Sequence, residues 1–300
     1  MTPSLIAVDW GSTSLRAYRL SASGEALEAI AAADGISTVA RGAFPATLKR
    51  LIGAWLEPGR DLPIVASGMV GSRNGWLEAP YLACPAGLDE LAARLTTTPF
   101  EGRTVHIVPG LSHGFDGDDP DVMRGEEVEI LGLGESGARL VVLPGSHSKW
   151  AAVDRGRVDR FKTFPTGELF AAIKDRTLVG AFARAAPERP PGAAFARGVR
   201  RAAEAGVGLI GALFGARSLP LAGRLAEEDA ANYLSGLLIG AEIAAARRLF
   251  PDQEATVAGA AALVARYLAA FAALGDRARP TPPGAAARGL YLVARAGGLI

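Results

Sequence analysis

Apolar residues open the chain as a short run, IAV at residues 6–8, which stops at Asp9. After a polar turn of Gly11, Ser12, Thr13 and Ser14 the pattern resumes in LRAYRL at 15–20, as a strand does. EALEAI at 25–30 follows the turn-like SASGE, so three consecutive antiparallel strands are expected, although LEAIAAA at 27–33 fits a helix equally well. Apolar positions recur every three or four residues through PATLKRLIGAWL at 45–56, a helix. A short strand at 63–68, a glycine-rich loop to Pro80, a helix near 88–95 and a strand at 104–110 come next. The loop at 111–120 leads into DVMRGEEVEILGL at 121–133, expected as one helix with acids in its first turns, where the dipole favours them.

After GESG at 134–137 the pattern starts again. RLVVLPG at 139–145 reads as a strand ending in glycine, SKWAAVD at 148–154 as a second, and RGR turns the chain into VDRFKTF at 158–164. Helices are expected at 166–175, within a Pro/Ala/Arg-rich element at 181–222, and at 227–250, 260–275 and 285–296, with a short strand at 254–259. Setting residues 8–20 against 142–154 places Gly11 on Gly145, Ser12 on Ser146 and Ser14 on Ser148, at one offset of 134 (145 − 11). The sequence is thus read as two αβ halves, 1–136 and 137–300, divided near 134–139. The last helix is expected to pack back on the first half.

Composition narrows the classes. A length of 300 residues, with 49% hydrophobic and 21% charged, is that of a globular chain with room for two domains. A net charge of +1 argues against nucleic-acid or membrane binding driven by bulk charge. The single cysteine, Cys84, allows no internal disulfide, and the N-terminus lacks a basic and then apolar leader. A cytoplasmic protein is expected, with small-molecule partners, no nucleic acid and no membrane; a homo-oligomer is compatible. Three scattered histidines do not make a zinc cluster, so any metal would be a hard one such as Mg²⁺, held by carboxylate, water and phosphate.

Two matching Gly-Ser turns make sense as a phosphate clamp, because glycine admits close backbone approach and N–H groups with hydroxyls donate to the oxygens. As isolated motifs they would be ordinary polar turns. The nucleotide-binding candidates are therefore Gly11, Ser12, Thr13 and Ser14 with Gly145, Ser146, His147, Ser148 and Lys149. Asp9 has Leu143 as its counterpart, so it is the metal candidate; a carboxylate capping its own loop is the alternative. The segment from Ser67 to Gly87 crowds polar and aromatic residues after a strand: Arg73 could fork onto a carboxylate, and Trp76 and Tyr81 could wall a sugar-like ligand. Arg124 is a second cation for that carboxylate. Asp121, Glu126 and Glu127 lie at or near the expected helix start; Asp121 is the first choice of general base and Glu126 the second. Gly259 ends a strand in a turn that could admit a nucleoside.

These residues carry a resemblance. Duplicated αβ halves with opposed hairpin phosphate loops resemble the superfamily of sugar kinases, actin and heat-shock chaperone ATPases. VDWGSTSLRAY at 8–18, SGMVGSRNGWLEAPYLACPAG at 67–87, VPGL at 108–111, DVMRGEEVEILG at 121–132, LPGSHSKW at 143–150 and TGELF at 166–170 are similar to the 2-dehydro-3-deoxygalactonokinase family. That resemblance implies two duplicated ribonuclease H-like domains with an interdomain cleft, and ATP-dependent phosphorylation of the 6-hydroxyl of 2-dehydro-3-deoxy-D-galactonate. It implies that Asp9 organises Mg²⁺, that the two loops hold the phosphates and that Gly259 lies by the nucleoside. Asp121 falls roughly where related sugar kinases keep a catalytic aspartate, but Pro120 replaces the asparagine of their Asn-Asp pair. The readings set beside it are a phosphatase of the same fold and a non-catalytic sugar- or nucleotide-binding regulator, the latter with no helix-turn-helix preceding Asp9.

Overall fold

Two compact units emerge, one of residues 1–138, 153–161 and 284–300, the other of 139–152 and 162–283. The computed structural model describes residues 2–57, 59, 61–134, 139–186, 189–204, 208–251 and 253–300. Of the division expected near 134–139, residues 135–138 lie outside them.

The first unit begins with Pro3–Trp10 (β1), Leu15–Ser21 (β2) and Ala26–Ala32 (β3), the expected antiparallel meander, with the ambiguous third segment a strand. Phe44–Ile52 (α1) follows and buries Phe44, Thr47, Leu48 and Ile52, a spacing that puts one face on the sheet. Then come Ile64–Ser67 (β4), Tyr81–Ala83 (β5), Ala86–Gly87 (β6), Leu88–Ala92 (α2), Thr96–Phe100 (β7) and Arg103–Ile107 (β8). Gly110–His113 (β9), Asp121–Met123 (β10) and Glu126–Gly132 (α3) complete this part. The main sheet has the order β3-β2-β1-β4-β8-β7, with β4 parallel to both β1 and β8. Covered on both faces, β1 is fully buried from Leu5 to Val8, which explains its unbroken apolar run.

The expected helix at 121–133 is corrected. Asp121, Val122 and Met123 pair antiparallel with His113, Ser112 and Leu111, and β5 joins β9 in a three-stranded sheet. The helix starts only after Gly125, whose φ of +107° a right-handed helix does not contain. Likewise the segment at 111–120 is not all loop, since its first residues belong to β9.

The second unit repeats the plan. Arg139–Leu143 (β11) and Ser148–Asp154 (β12), whose last two residues fall in the first unit, lead into Arg157–Phe164 (β13), of which 157–161 belong to the first unit, and then into Thr166–Arg176 (α4). The expected helical element at 181–222 comprises Ala181–Ala185 (α5), Ala193–Ala203 (α6), Gly208–Leu213 (α7) and Gly215–Leu221 (α8); residues 187–188 and 205–207 lie outside the described residues. Ala230–Leu249 (α9), Ala255–Val257 (β14), Ala261–Ala273 (α10) and Ala278–Pro280 (β15) end the unit. Its strand order β13-β12-β11-β14-β15 matches β3-β2-β1-β4-β8. Within the first unit, Arg157 and Val158 pair with Gly87 and Ala86 of β6, and the last helix, Ala285–Ala296, buries Leu290, Tyr291, Val293 and Ala294.

Backbone meets backbone where β1, β4 and α3 converge. Gly68, which ends β4 with φ +95°, has no room for a Cβ, which would lie 2.7 Å from the Trp10 carbonyl oxygen. At Gly125 a Cβ would lie 2.9 Å from the Gly68 Cα. The start of α3 is capped from within: Glu126 accepts from the Arg124 N–H at 3.0 Å, and Glu127 from the Gly125 N–H at 2.8 and 2.7 Å.

Gly125→Ala is expected to cost about 1–3 kcal/mol, for strain and the lost approach together. Gly53→Ala, at φ −54° with nothing near its Cβ position, is expected to leave stability unchanged or raise it by about 0.4–1 kcal/mol. Paired thermal melts check the contrast. Glu127 yields a second expectation. Burial, and then the neighbouring Glu126, push its carboxyl from 4.5 up to about 8, against the two backbone bonds and Arg124. The folded chain therefore keeps a proton that the unfolded chain has lost, so this group's contribution is intact below 4.5 and lost as pH rises towards 8. Urea titrations across that window should show a shallower fall for Glu127→Gln than for the wild type.

Candidate active site

Asp9 stands at the carboxyl end of β1, opposite Ser67 on β4 and Arg16 on β2. Arg16 Nη1 lies 3.5 Å from its carboxylate. Burial raises the Asp9 carboxyl, Arg16 opposes that, and Glu126 adds to it. One turn along α3 from Glu126, the Glu129 carboxyl is pushed up to about 7 by burial, then by Asp9 and Glu126. Asp9 and Glu129 thus share one surface arginine, with the charge of Glu126 acting on both, a local excess of negative charge that favours a cation or a retained proton. Among the described residues no group of three or more His, Cys, Asp or Glu is arranged to hold a metal by itself. A divalent ion at Asp9 would therefore need oxygens from its ligand or from water.

The turn after Asp9 is held from behind. The Gly11 N–H donates to the Ser14 carbonyl at 2.9 Å. The carbonyls of Gly11 and Ser12 accept from the N–H groups of Ile36 and Ser37 at 3.0 and 3.1 Å, and the Ser37 hydroxyl adds a bond to Ser12 at 2.6 Å. Ser12 and Thr13 remain exposed. With its carbonyls engaged behind and its hydroxyls outward, the turn suits an anion.

In the second unit the Ser146 carbonyl accepts from Glu168 N–H at 3.0 Å, at the start of α4, and His147 Nε2 meets the Glu168 carboxylate at 2.8 Å. Ser146 and His147 are exposed, whereas Ser148 and Lys149 are turned inward, so the alignment of the two turns fixes the loop but not these side chains. The Ser148 hydroxyl bonds Tyr267 at 2.8 Å, and Tyr267 donates to Glu242 at 2.7 Å. Trp150 Nε1 reaches the same carboxylate at 2.7 Å, and burial raises that carboxyl against these bonds. Beside this network a cavity of about 300 Å³ is lined by Gly145, Ser146, Thr166, Gly167, Leu263 and Arg266, among others. Gly259 lies exposed at the end of β14 with φ +119°, outside that lining.

The segment after β4 divides its expected residues. Arg73 and Trp76 line a cavity of about 670 Å³ in the first unit, together with Arg41, Phe44, Asn74 and Glu78. Its aromatic floor is fixed, because Trp76 packs edge-on against Phe100 at 5.9 Å and Phe44 against Trp10 at 5.4 Å. Tyr81 and Arg124 are not in this lining. Arg124 stacks 4.2 Å over the Tyr81 ring and donates to the Ala79 carbonyl at 2.8 Å, as a buried brace. Ser67 is buried at the end of β4. Asp121 sits on β10 with its carboxylate accepting from the Val122 N–H at 2.8 Å.

The sequence reading missed Glu129, Arg41 and Glu242. Glu129 is the third residue after Glu126 and so shares its helix face, a signal present in the sequence. Arg41 and Glu242 lie in segments whose patterns carry no such mark.

Comparison with known proteins agrees in extent as well as in kind. A family model described as 2-keto-3-deoxy-galactonokinase matches residues 9–293. The 2-dehydro-3-deoxygalactonokinase of Escherichia coli strain K12 is 36% identical over 277 residues, 92% of this chain and 91% of that protein. A crystal structure from Sinorhizobium meliloti, of a protein assigned as a 2-dehydro-3-deoxygalactonokinase, is 38% identical, with a TM-score of 0.90 over 97% of this chain and 98% of that one. The activator of 2-hydroxyisocaproyl-CoA dehydratase from Clostridium difficile, solved with ADPNP, is 13% identical with a TM-score of 0.51 over 98% and 96%, a likeness of fold alone. This chain belongs to the 2-keto-3-deoxy-galactonokinase family.

Proposed function

We propose that the chain transfers the γ-phosphoryl group of ATP to the 6-hydroxyl of 2-dehydro-3-deoxy-D-galactonate. The products are ADP and 2-dehydro-3-deoxy-6-phospho-D-galactonate. The observation that carries this reading is the family match over residues 9–293, a span that holds every residue given a part below.

In this reading the turns at Gly11–Ser14 and Gly145–His147, one in each unit, donate to phosphate oxygens. Gly259 leaves backbone room for the nucleoside, and the mainly apolar cavity beside Gly145 suits the base. Asp9 would hold Mg²⁺ together with oxygens of phosphate and water; the surplus of negative charge around Asp9 fits such an ion. Once bound, the ion would neutralise charge on the phosphoryl group in transfer. Arg73 takes the substrate carboxylate and Trp76 offers a flat apolar face to the sugar chain.

Glu126 takes the base role in preference to Asp121. It stands at the helix start, where its charge acts on Asp9, while Asp121 lies on β10 and is not among the groups acting on Asp9. As O6 bonds to the γ-phosphorus and the bond to the ADP oxygen breaks, the hydroxyl proton passes to the Glu126 carboxylate. Ser148, Lys149, Ser67, Tyr81 and Arg124 support the frame instead of touching substrate. No helix among the described residues is long and apolar enough to cross a membrane; we assign the activity to the cytoplasm.

A coupled assay of ADP release should show turnover only with the sugar acid present. Glu126→Gln is expected to lower kcat by about 10²-fold or more, with the KM for ATP little changed, and Asp121→Asn to leave kcat within a few-fold of wild type. The opposite pattern would move the base to Asp121. ADP release that ignores the sugar acid would overturn the kinase reading.

A further inference from the structure

The cavity of about 670 Å³ holds two cations with no structural employment. Arg41 and Arg73 both line it. Among the described residues neither guanidinium has a hydrogen bond or an ion pair, and the same is true of the side chains of Asn74 and Glu78 in the same wall. Several other arginines of this unit are committed: Arg19 to Glu28 and Glu57, Arg157 to Glu90, Arg124 to Ala79 and Tyr81; Arg94 and Arg288 are not, among the described residues, but neither lines this cavity. Guanidinium groups without a protein partner in the lining of one cavity attract an anion, and two planar forks suit a carboxylate.

The fold ties this cavity to the acid cluster. Asp9 is in register with Ser67, and Trp10 with Leu15, which is itself in register with Ala32. The connections that carry Arg41, after β3, and Arg73, after β4, therefore leave the sheet at the edge where Asp9 stands. A molecule with a carboxylate at one end and a reactive hydroxyl at the other meets cations in one place and carboxylates in another, along a single sheet edge. Glu78 repels a carboxylate and accepts from hydroxyls, which adds a sense of direction within the cavity.

We propose that Arg41 acts with Arg73 as a two-guanidinium clamp on the acceptor's carboxylate, and that Arg41 is thereby a specificity-determining residue selecting sugar acids over neutral sugars. The clamp rests on the reading of the preceding subsection for its ligand. It would account for recognition of the acid end without any contact to the reacting hydroxyl.

The test separates binding from turnover. Calorimetry with 2-dehydro-3-deoxy-D-galactonate, on the full chain, should give about 10- to 100-fold weaker binding for Arg41→Ala and for Arg73→Ala. The double variant should lose less than the product of the two, because both forks hold one group. Arg41→Lys should recover part of the affinity, as a point charge without the fork. In the ADP-release assay the KM for the sugar acid should rise by a similar factor while the KM for ATP stays level, and melting temperatures should match, since Arg41 is exposed. Unchanged binding in Arg41→Ala would overturn the clamp, as would no binding to wild type, or a rise confined to the KM for ATP. Binding that obeys the clamp in a chain that transfers no phosphoryl group would leave the clamp standing and overturn the kinase reading alone.

Discussion

The contact on which the rest of the first unit depends has no side chain in it. Gly68 lies against the Trp10 carbonyl and Gly125 against Gly68, so the ends of β1 and β4 and the start of α3 meet backbone to backbone. A single Cβ would push α3 outward. Because the approach is so close, burial and the charge of Glu126 raise the Asp9 carboxyl, and burial, Asp9 and Glu126 raise that of Glu129, with Arg16 opposing both shifts. The two glycines fix the spacing, and the spacing fixes the electrostatics. A cation is then welcome beside Asp9 for reasons belonging to the fold, before any particular reaction is considered.

Duplication explains the shape of the two units, and its failures explain their division of labour. The strand orders β3-β2-β1-β4-β8 and β13-β12-β11-β14-β15 are the same. Yet Leu143 stands where Asp9 does, so the second turn lacks the charge that would compete with a nucleotide's phosphates. The second unit buries its acid instead. Glu242 gathers bonds from Trp150 and Tyr267, and Tyr267 in turn anchors Ser148 at the base of the Gly145 turn. A buried network of this kind is stable only when each member is satisfied, which makes it a rigid footing for a turn that must present its backbone outward.

Much of this was legible in the sequence, and the parts that were not share a cause. The offset between Gly11 and Gly145 revealed the repeat, and the helix expected at 285–296 has those bounds. Periodicity failed at 121–133, where an acid-rich, helix-like string is cut by Gly125 and its first residues are claimed by pairing with β9. That pairing is long-range and leaves no local trace. Ser148 and Lys149 show a different limit: sequence matching equates positions but not direction, and both side chains are buried on β12, which is covered on both faces. Arg124 was equivalent to Arg73 as a bare charge, and only its stacking on Tyr81 and its bond to Ala79 separate a brace from a free cation.

A net charge of +1 conceals a strong internal separation. In the first unit, carboxylates gather around Asp9, while Arg41 and Arg73, without a partner among the described residues, line a cavity served by the same sheet edge. Had these opposite groups been adjacent, they would have paired and neither would remain for a ligand. Keeping them apart costs the stability that such pairing would add, about 0.2–1 kcal/mol for exposed groups. Under the proposed clamp a bifunctional acid would be oriented before any bond is made, with its carboxylate drawn to one pole and its hydroxyl left for the other. Orientation of this kind is what converts binding into rate.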